Sequence, residues 1–140
     1  MSTRGSAKAF VAGRYLLDTH AFLYLAQYPG RLPARLKTLI ADGRNAVCVS
    51  IASLWEIQVK ASIGKLEIGG SLAGVVAIQQ RENGLTVLPI AIAHVVEHGA
   101  LPLHHRDPFD RMLIAQARVE GLTVLSHDAA FAQYDVVVRW

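Results

Sequence analysis

At 140 residues, with 52% hydrophobic residues and a mean hydropathy of +0.30, the chain has the length and apolar content of one folded domain with its own core, which excludes a disordered tail. The net charge of +3 and pI near 9.3 come from scattered Lys and Arg, so they permit a nucleic-acid partner without demonstrating one. A single cysteine, Cys48, excludes a disulfide framework and a cysteine-based zinc cluster, and no apolar run reaches the length of a membrane span; the expected setting is the reducing cytoplasm, away from membranes.

Residues 1–13, with Ser2, Gly5, Ser6 and Gly13, read as a flexible extension ahead of one domain at 14–140. Arg14 to Leu17 is a short apolar strand ending in Asp18, and Thr19 to Ala26 has helical spacing. Pro29, Gly30 and Pro33 break the chain before an amphipathic helix over Arg35 to Asp42, closed by Gly43. Asn45 to Val49 is a buried strand, where Cys48 is a packing residue. Ser50 then caps a helix with Ile51, Leu54, Trp55, Ile57 and Ala61 at apolar positions. A helix from Leu72 to Glu82 follows, then Asn83-Gly84, a strand over Leu85 to Leu88 stopped by Pro89, and a short helix from Ala91 to His98. Beyond the loop Gly99 to Arg106, Asp107-Pro108-Phe109-Asp110 opens a helix: Asp107 is a good N-cap, Pro108 suits the first helical position, and Asp110 can reach back to the cap. Gly121 ends it, Leu122 to Ser126 is a strand, Ala129 to Phe131 a short turn, and Val136 to Val138 a last strand.

Alternating strands and helices predict an α/β domain of three layers, α/β/α, on a mostly parallel sheet of about five strands. In such sheets ligands bind outside the carboxyl ends of the strands. Asp18 and Asp128 follow strands, Glu56 lies on the helix after the second strand, and Asp110 begins a helix antiparallel to the sheet, so all four acids are expected at one edge.

Each acid has a structural explanation when taken singly. Asp18 and Asp128 suit helix caps, Asp107 and Asp110 a capping pair, and Glu56 a capping partner of Ser53 if its helix began later. Glu56 resists this best, because with Ser50 as cap it lies beyond the first turn among apolar neighbours, where a lone carboxylate is costly. Carboxylates gathered within a few ångströms repel unless a divalent cation neutralises them, and oxygen donors suit Mg²⁺ or Mn²⁺. His104 and His105 are assigned to loop packing, with phosphate contact as the alternative. Arg106 and Arg111 would either bind nucleic-acid phosphates or pair with Asp107 and Asp110.

The ordered set Leu16-Leu17-Asp18-Thr19-His20, Ser53-Leu54-Trp55-Glu56-Ile57, Asp107-Pro108-Phe109-Asp110-Arg111 with Ile114-Ala115-Gln116-Ala117, and Leu125-Ser126-His127-Asp128 resembles the PIN-domain nucleases, specifically the VapC-type toxins of bacterial toxin–antitoxin pairs. The resemblance covers nearly the whole chain after Arg14. It implies a metal-dependent endoribonuclease that hydrolyses RNA phosphodiester bonds, with Asp18, Glu56, Asp110 and Asp128 as catalytic metal ligands for Mg²⁺ or Mn²⁺. It further implies Asp107 as cap or outer group, Thr19 orienting a ligand or water, and Arg106 and Arg111, with Lys60 and Lys65, at the RNA backbone. A cognate VapB-type antitoxin and a homodimer are the implied partners, with Phe22, Tyr24 and Leu25 candidates for an apolar groove. Rival readings are a non-catalytic PIN-like module that binds RNA or protein, or a housekeeping RNA-processing nuclease. A receiver module or haloacid-dehalogenase-type phosphatase fits poorly, because Asp18 is followed by Thr19-His20 and not by a second acid.

Overall fold

The computed structural model of the chain describes residues 12–140, so the first eleven positions of the expected extension lie outside the described residues. Five strands, β1 (Arg14–Leu17), β2 (Ala46–Ser50), β3 (Thr86–Leu88), β4 (Thr123–Leu125) and β5 (Val138–Arg139), form one sheet in the order β3-β2-β1-β4-β5. Every pairing is parallel, so the expected mostly parallel sheet is parallel throughout. In the central strand Leu16 pairs with Cys48 on one side and Val124 on the other.

β1 is apolar at consecutive positions because both faces of the sheet are covered. Successive side chains point to opposite faces. Tyr15 and Leu17 join one core with Phe22, Leu36, Ile40, Val49 and Ile57, whereas Leu16 joins a second core with Leu113, Ile114, Val124 and Phe131. The helices α1 (Thr19–Gln27), α2 (Ala34–Ala41) and α4 (Leu72–Asn83) supply the first core, while α5 (Ile92–Ala100) and α6 (Pro108–Glu120) lie on the other side. α3 (Ile51–Ser62) contributes Leu54 and Ile57 to the first core and Ala52 to the second, and it packs on both α1 and α6. These are the three expected layers.

Helix starts follow the capping residues. Ser50 ends β2 and caps α3, its Oγ accepting from Ala52 N at 3.0 Å, so the later start that would pair Ser53 with Glu56 does not occur. Asp107 caps α6 and Pro108 occupies the first turn. At the far end Gly121 takes φ 70°, a left-handed conformation that costs a side-chain-bearing residue energy. The last strand departs from expectation. It was placed at Val136 to Val138 but pairs at Val138–Arg139, because the turn after β4 runs on as a 3₁₀ helix over Ala129–Gln133 and delays the chain's return to the sheet.

Cys48 sits half-buried beside the second core, and burial pushes its thiol up to about 11. The thiolate is the reactive form. Native protein at pH 8 should therefore be alkylated by iodoacetamide about 100-fold more slowly than the unfolded chain, as read by mass spectrometry of timed aliquots. Equal rates would show that the thiol is not held in this environment.

Candidate active site

β1, β2 and β4 all run the same way, and the elements that leave their carboxyl ends bring the acids to one edge. Asp18 follows β1, and its backbone N–H donates to Leu125 O at 3.1 Å, which locks the end of β1 to the end of β4. Its side chain is buried and held twice: Oδ1 accepts from Ala21 N at 2.7 Å as the cap of α1, and Oδ2 accepts from Ser126 Oγ at 2.6 Å. Ser126 is itself buried and also accepts from Asp128 N at 3.0 Å, so one hydroxyl links the two aspartates. Burial raises the Asp18 carboxyl above its ordinary value despite these donors and the nearby His20, and the charge of Asp128 raises it further.

Glu56 lies on the second turn of α3 and is 4% exposed, which settles that it needs partners. It has two: Oε2 pairs with Lys60 Nζ at 2.7 Å, one helical turn on, and Oε1 lies 2.8 Å from Thr19 Oγ1. Thr19 Oγ1 is also 3.0 Å from Ser53 Oγ. A carboxylate only accepts, so the Thr19 proton goes to Glu56 and Ser53 is left to supply the other bond. Thr19 thus orients Glu56 from the first turn of α1. Lys60, expected at the RNA backbone, makes this ion pair from an exposed position.

Asp107 and Asp110 divide the N-terminus of α6 between them. Asp107 Oδ1 accepts from Phe109 N at 2.9 Å and Asp110 N at 3.4 Å, a cap. Asp110 turns its Oδ2 to His105 Nε2 at 2.9 Å rather than back to the cap. Burial, then the charges of Asp107 and Glu56, push its carboxyl up to about 6 even with the His105 hydrogen bond opposing them. Asp128 is exposed and caps the 3₁₀ turn through Ala130 N at 2.9 Å. One ligand atom from each of His105, Asp110 and Asp128 falls within 4.8 Å of the others.

His105 is the residue that sequence reading assigned elsewhere. It precedes the helix by three residues, but the loop folds back over the helix start, which no local spacing announces. Arg111 builds that fold. It is buried, and its guanidinium donates to the carbonyls of Pro102, His98 and Leu101 at 3.0–3.3 Å, of His105 at 3.4 Å, and to Tyr134 Oη at 3.3 Å. Tyr134 Oη in turn accepts from His105 N at 2.8 Å. The expectation that Arg111 contacts RNA, or pairs with Asp107 or Asp110, is therefore corrected: Nη1 and Nη2 make five hydrogen bonds to acceptors inside the protein. Arg106 stands exposed on the same loop.

The clustered donors, two carboxylates and one imidazole, fit a divalent cation, while Asp18 and Glu56 stand outside this group of three.

A model of the PIN domain matches residues 15–137. The chain belongs to the PIN-domain family. Solved structures carry the same PIN fold: a chain of VapBC2 from Rickettsia felis bound to a DNA fragment from their promoter aligns at 17% identity and TM-score 0.67, covering 90% of this chain and 97% of that one. A chain of DNA-bound VapBC from Salmonella typhimurium aligns at 15% and 0.67 over 91% and 97%, and one of VapBC-1 from nontypeable Haemophilus influenzae at 16% and 0.62 over 90% and 96%. A comparison with curated proteins finds no match.

Two outcomes are expected of these PIN-domain side chains. Arg111→Ala removes five hydrogen bonds to acceptors inside the protein and should lower stability by about 2–4 kcal/mol in urea titration; a change under about 0.5 kcal/mol would show that the loop does not depend on it. Asp110 titrates near 6 when folded and near 3.8 when unfolded, so the folded state holds the extra proton between those values. Its favourable contribution is complete below about pH 4 and is lost as pH rises through 6. Asp110→Asn should therefore raise the melting temperature in EDTA at pH 7.5, by about 3–8 °C, with the gain gone by pH 4. A lower melting temperature at pH 7.5 would mean that the charge is well compensated.

Proposed function

We propose that this PIN-domain chain is a metal-dependent endoribonuclease acting as the toxin of a VapBC-type toxin–antitoxin pair. The observation that carries the reading is the convergence of Asp18, Glu56, Asp110 and Asp128 on the carboxyl edge of one parallel sheet, with ligand atoms of Asp110, Asp128 and His105 within 4.8 Å of each other. These four acids are the ones that would hold Mg²⁺ or Mn²⁺. When bound, such a cation supplies Lewis-acid stabilisation of phosphate charge and a lowered pKa for an attacking water.

The protein's own groups prepare this site. Ser126 and the start of α1 fix both oxygens of Asp18, and Thr19 and Lys60 fix those of Glu56. Asp107 keeps the α6 N-terminus closed, so Asp110 is left to face the cluster. The N-terminal ends of α1 and α6 carry partial positive charge into the same edge, which favours both the carboxylates and an incoming phosphate. Arg106 and Lys65 are exposed and suited to the RNA backbone.

A partner surface supports the antitoxin half of the reading. An open cavity of about 720 Å³ lies between the end of α1 and α4, where apolar Ala26, Tyr28, Ile68, Val75 and Ile78 alternate with polar Gln27, Glu67 and Gln79. Phe22, expected on such a groove, is instead fully buried in the core. On the opposite side α5 exposes Ile92, Val95 and Val96, a face suited to a second copy in a homodimer. Among the described residues no helix is long and apolar enough to cross a membrane, and the proposed setting is the cytoplasm.

Purified protein should cleave single-stranded RNA with Mg²⁺ or Mn²⁺. EDTA, Asp18→Asn or Asp110→Asn should each lower the rate at least 100-fold on a labelled-RNA gel. Cleavage that survives chelation and both substitutions would overturn the mechanism. Expression of the chain alone should arrest growth, with relief by the small protein encoded beside it; normal growth would point to an RNA-processing nuclease.

A further inference from the structure

Asp18 and Asp128 form one wall of a cavity of about 240 Å³ whose remaining wall is His20, Tyr24, His127 and Trp140. The rings form a connected series. His127 stacks on Trp140 with ring centroids 5.3 Å apart at 19°, Trp140 meets Tyr24 edge-on at 6.2 Å, and Tyr24 lies 6.4 Å from His20. The series is fixed from behind, because the Trp140 carbonyl oxygen accepts from Arg35 Nε at 2.7 Å and from its Nη2. His20 and His127 are exposed and Trp140 is half-buried, so the pocket opens to solvent.

His20 and Tyr24 also line a neighbouring cavity of about 260 Å³, and three cations, Arg31, Lys60 and Lys65, line that one. Arg31 lies over the rings of Tyr24 and Tyr28 at 5.7 and 4.9 Å. An aromatic pocket touching the acids therefore gives onto a cationic one along α1. That alternation matches a single nucleic-acid strand, whose bases present π-faces and whose linkages present negative charge. A peptide offers no such alternation, and a duplex keeps its bases stacked away from a pocket of this kind.

We propose that the His20–Tyr24–His127–Trp140 pocket holds one unstacked nucleobase of a single-stranded RNA substrate, with the adjoining phosphate toward Arg31 and Lys65, so that the strand is positioned against Asp18 and Asp128. This rests on the nuclease reading for its substrate. These four are positioning residues: they hold the strand and take no part in the bond-breaking step. His127 supplies the exposed face for stacking, and Trp140 holds His127 in place.

The test uses the full chain with Trp55→Phe, which leaves Trp140 as the one tryptophan, in EDTA with a short single-stranded RNA checked on a gel to be intact. RNA should change the Trp140 emission saturably. His127→Ala, or an abasic ribose at the contacted position, should weaken binding on the order of 5- to 150-fold. With metal present, His127→Ala should raise KM and leave kcat within about threefold. Binding unchanged within twofold in both cases, or a loss confined to kcat, overturns the proposal. If His127→Ala melts early, His20→Ala, also at an exposed position, carries the same expectation. Saturable binding of RNA that is never cleaved with metal would sink the nuclease reading and leave the subsite standing; cleavage without any base dependence would do the reverse.

Discussion

The structure is governed by the difficulty of keeping several carboxylates together out of water. Asp18 and Glu56 are almost wholly buried, and Asp110 is pushed up to about 6 by burial and by its acidic neighbours. Such a cluster is tolerated because both oxygens of Asp18 and of Glu56, and Oδ2 of Asp110, are given a donor: Ala21 N and Ser126 at Asp18, Thr19 and Lys60 at Glu56, His105 at Asp110. The donors are mostly neutral, so they orient the acids without cancelling their charge. A single full cation, Lys60, pairs with Glu56 from an exposed position. The result is a pre-ordered and electrostatically unsatisfied edge, which is what a divalent ion requires of its host.

Arg111 shows a different use of charge. A guanidinium beside two aspartates in sequence is readily taken for their partner or for a phosphate ligand, yet it faces away from both and gathers the carbonyls of the preceding loop. That loop has no secondary structure of its own to satisfy those groups. A planar, permanently charged donor with five N–H groups meets the demand where lysine could not. By fixing the loop it fixes His105, so a residue outside the acidic cluster decides its composition.

Most of the fold was legible because its signals are local. Caps at Ser50 and Asp107, the stop at Gly121 and the apolar strands placed nearly every element to within a residue or two. The acids were legible for the same reason: in a parallel sheet the strand direction alone carries residues that follow strands to one edge. What stayed hidden depended on how loops fold back. His105 reaches Asp110 through the Arg111-built loop, and the last strand shifts because a 3₁₀ turn runs two residues beyond the expected one. Neither has a signature in spacing, whereas the Glu56–Lys60 pair sits at i,i+4, a spacing the sequence does carry.

The bond between Ser126 Oγ and Asp18 Oδ2 joins residues 108 apart in sequence. Together with the link from Asp18 N to Leu125 O, it means that the first acid is set in place by nearly the last strand. During synthesis, the N-terminal two-thirds of the chain holds Asp18 and Glu56 but has neither β4 to fix the one nor α6 to bring Asp110 to the other. Loop closure over such a separation comes late in folding. A chain cut short before β4 would therefore lack both bonds that hold Asp18 to the end of that strand.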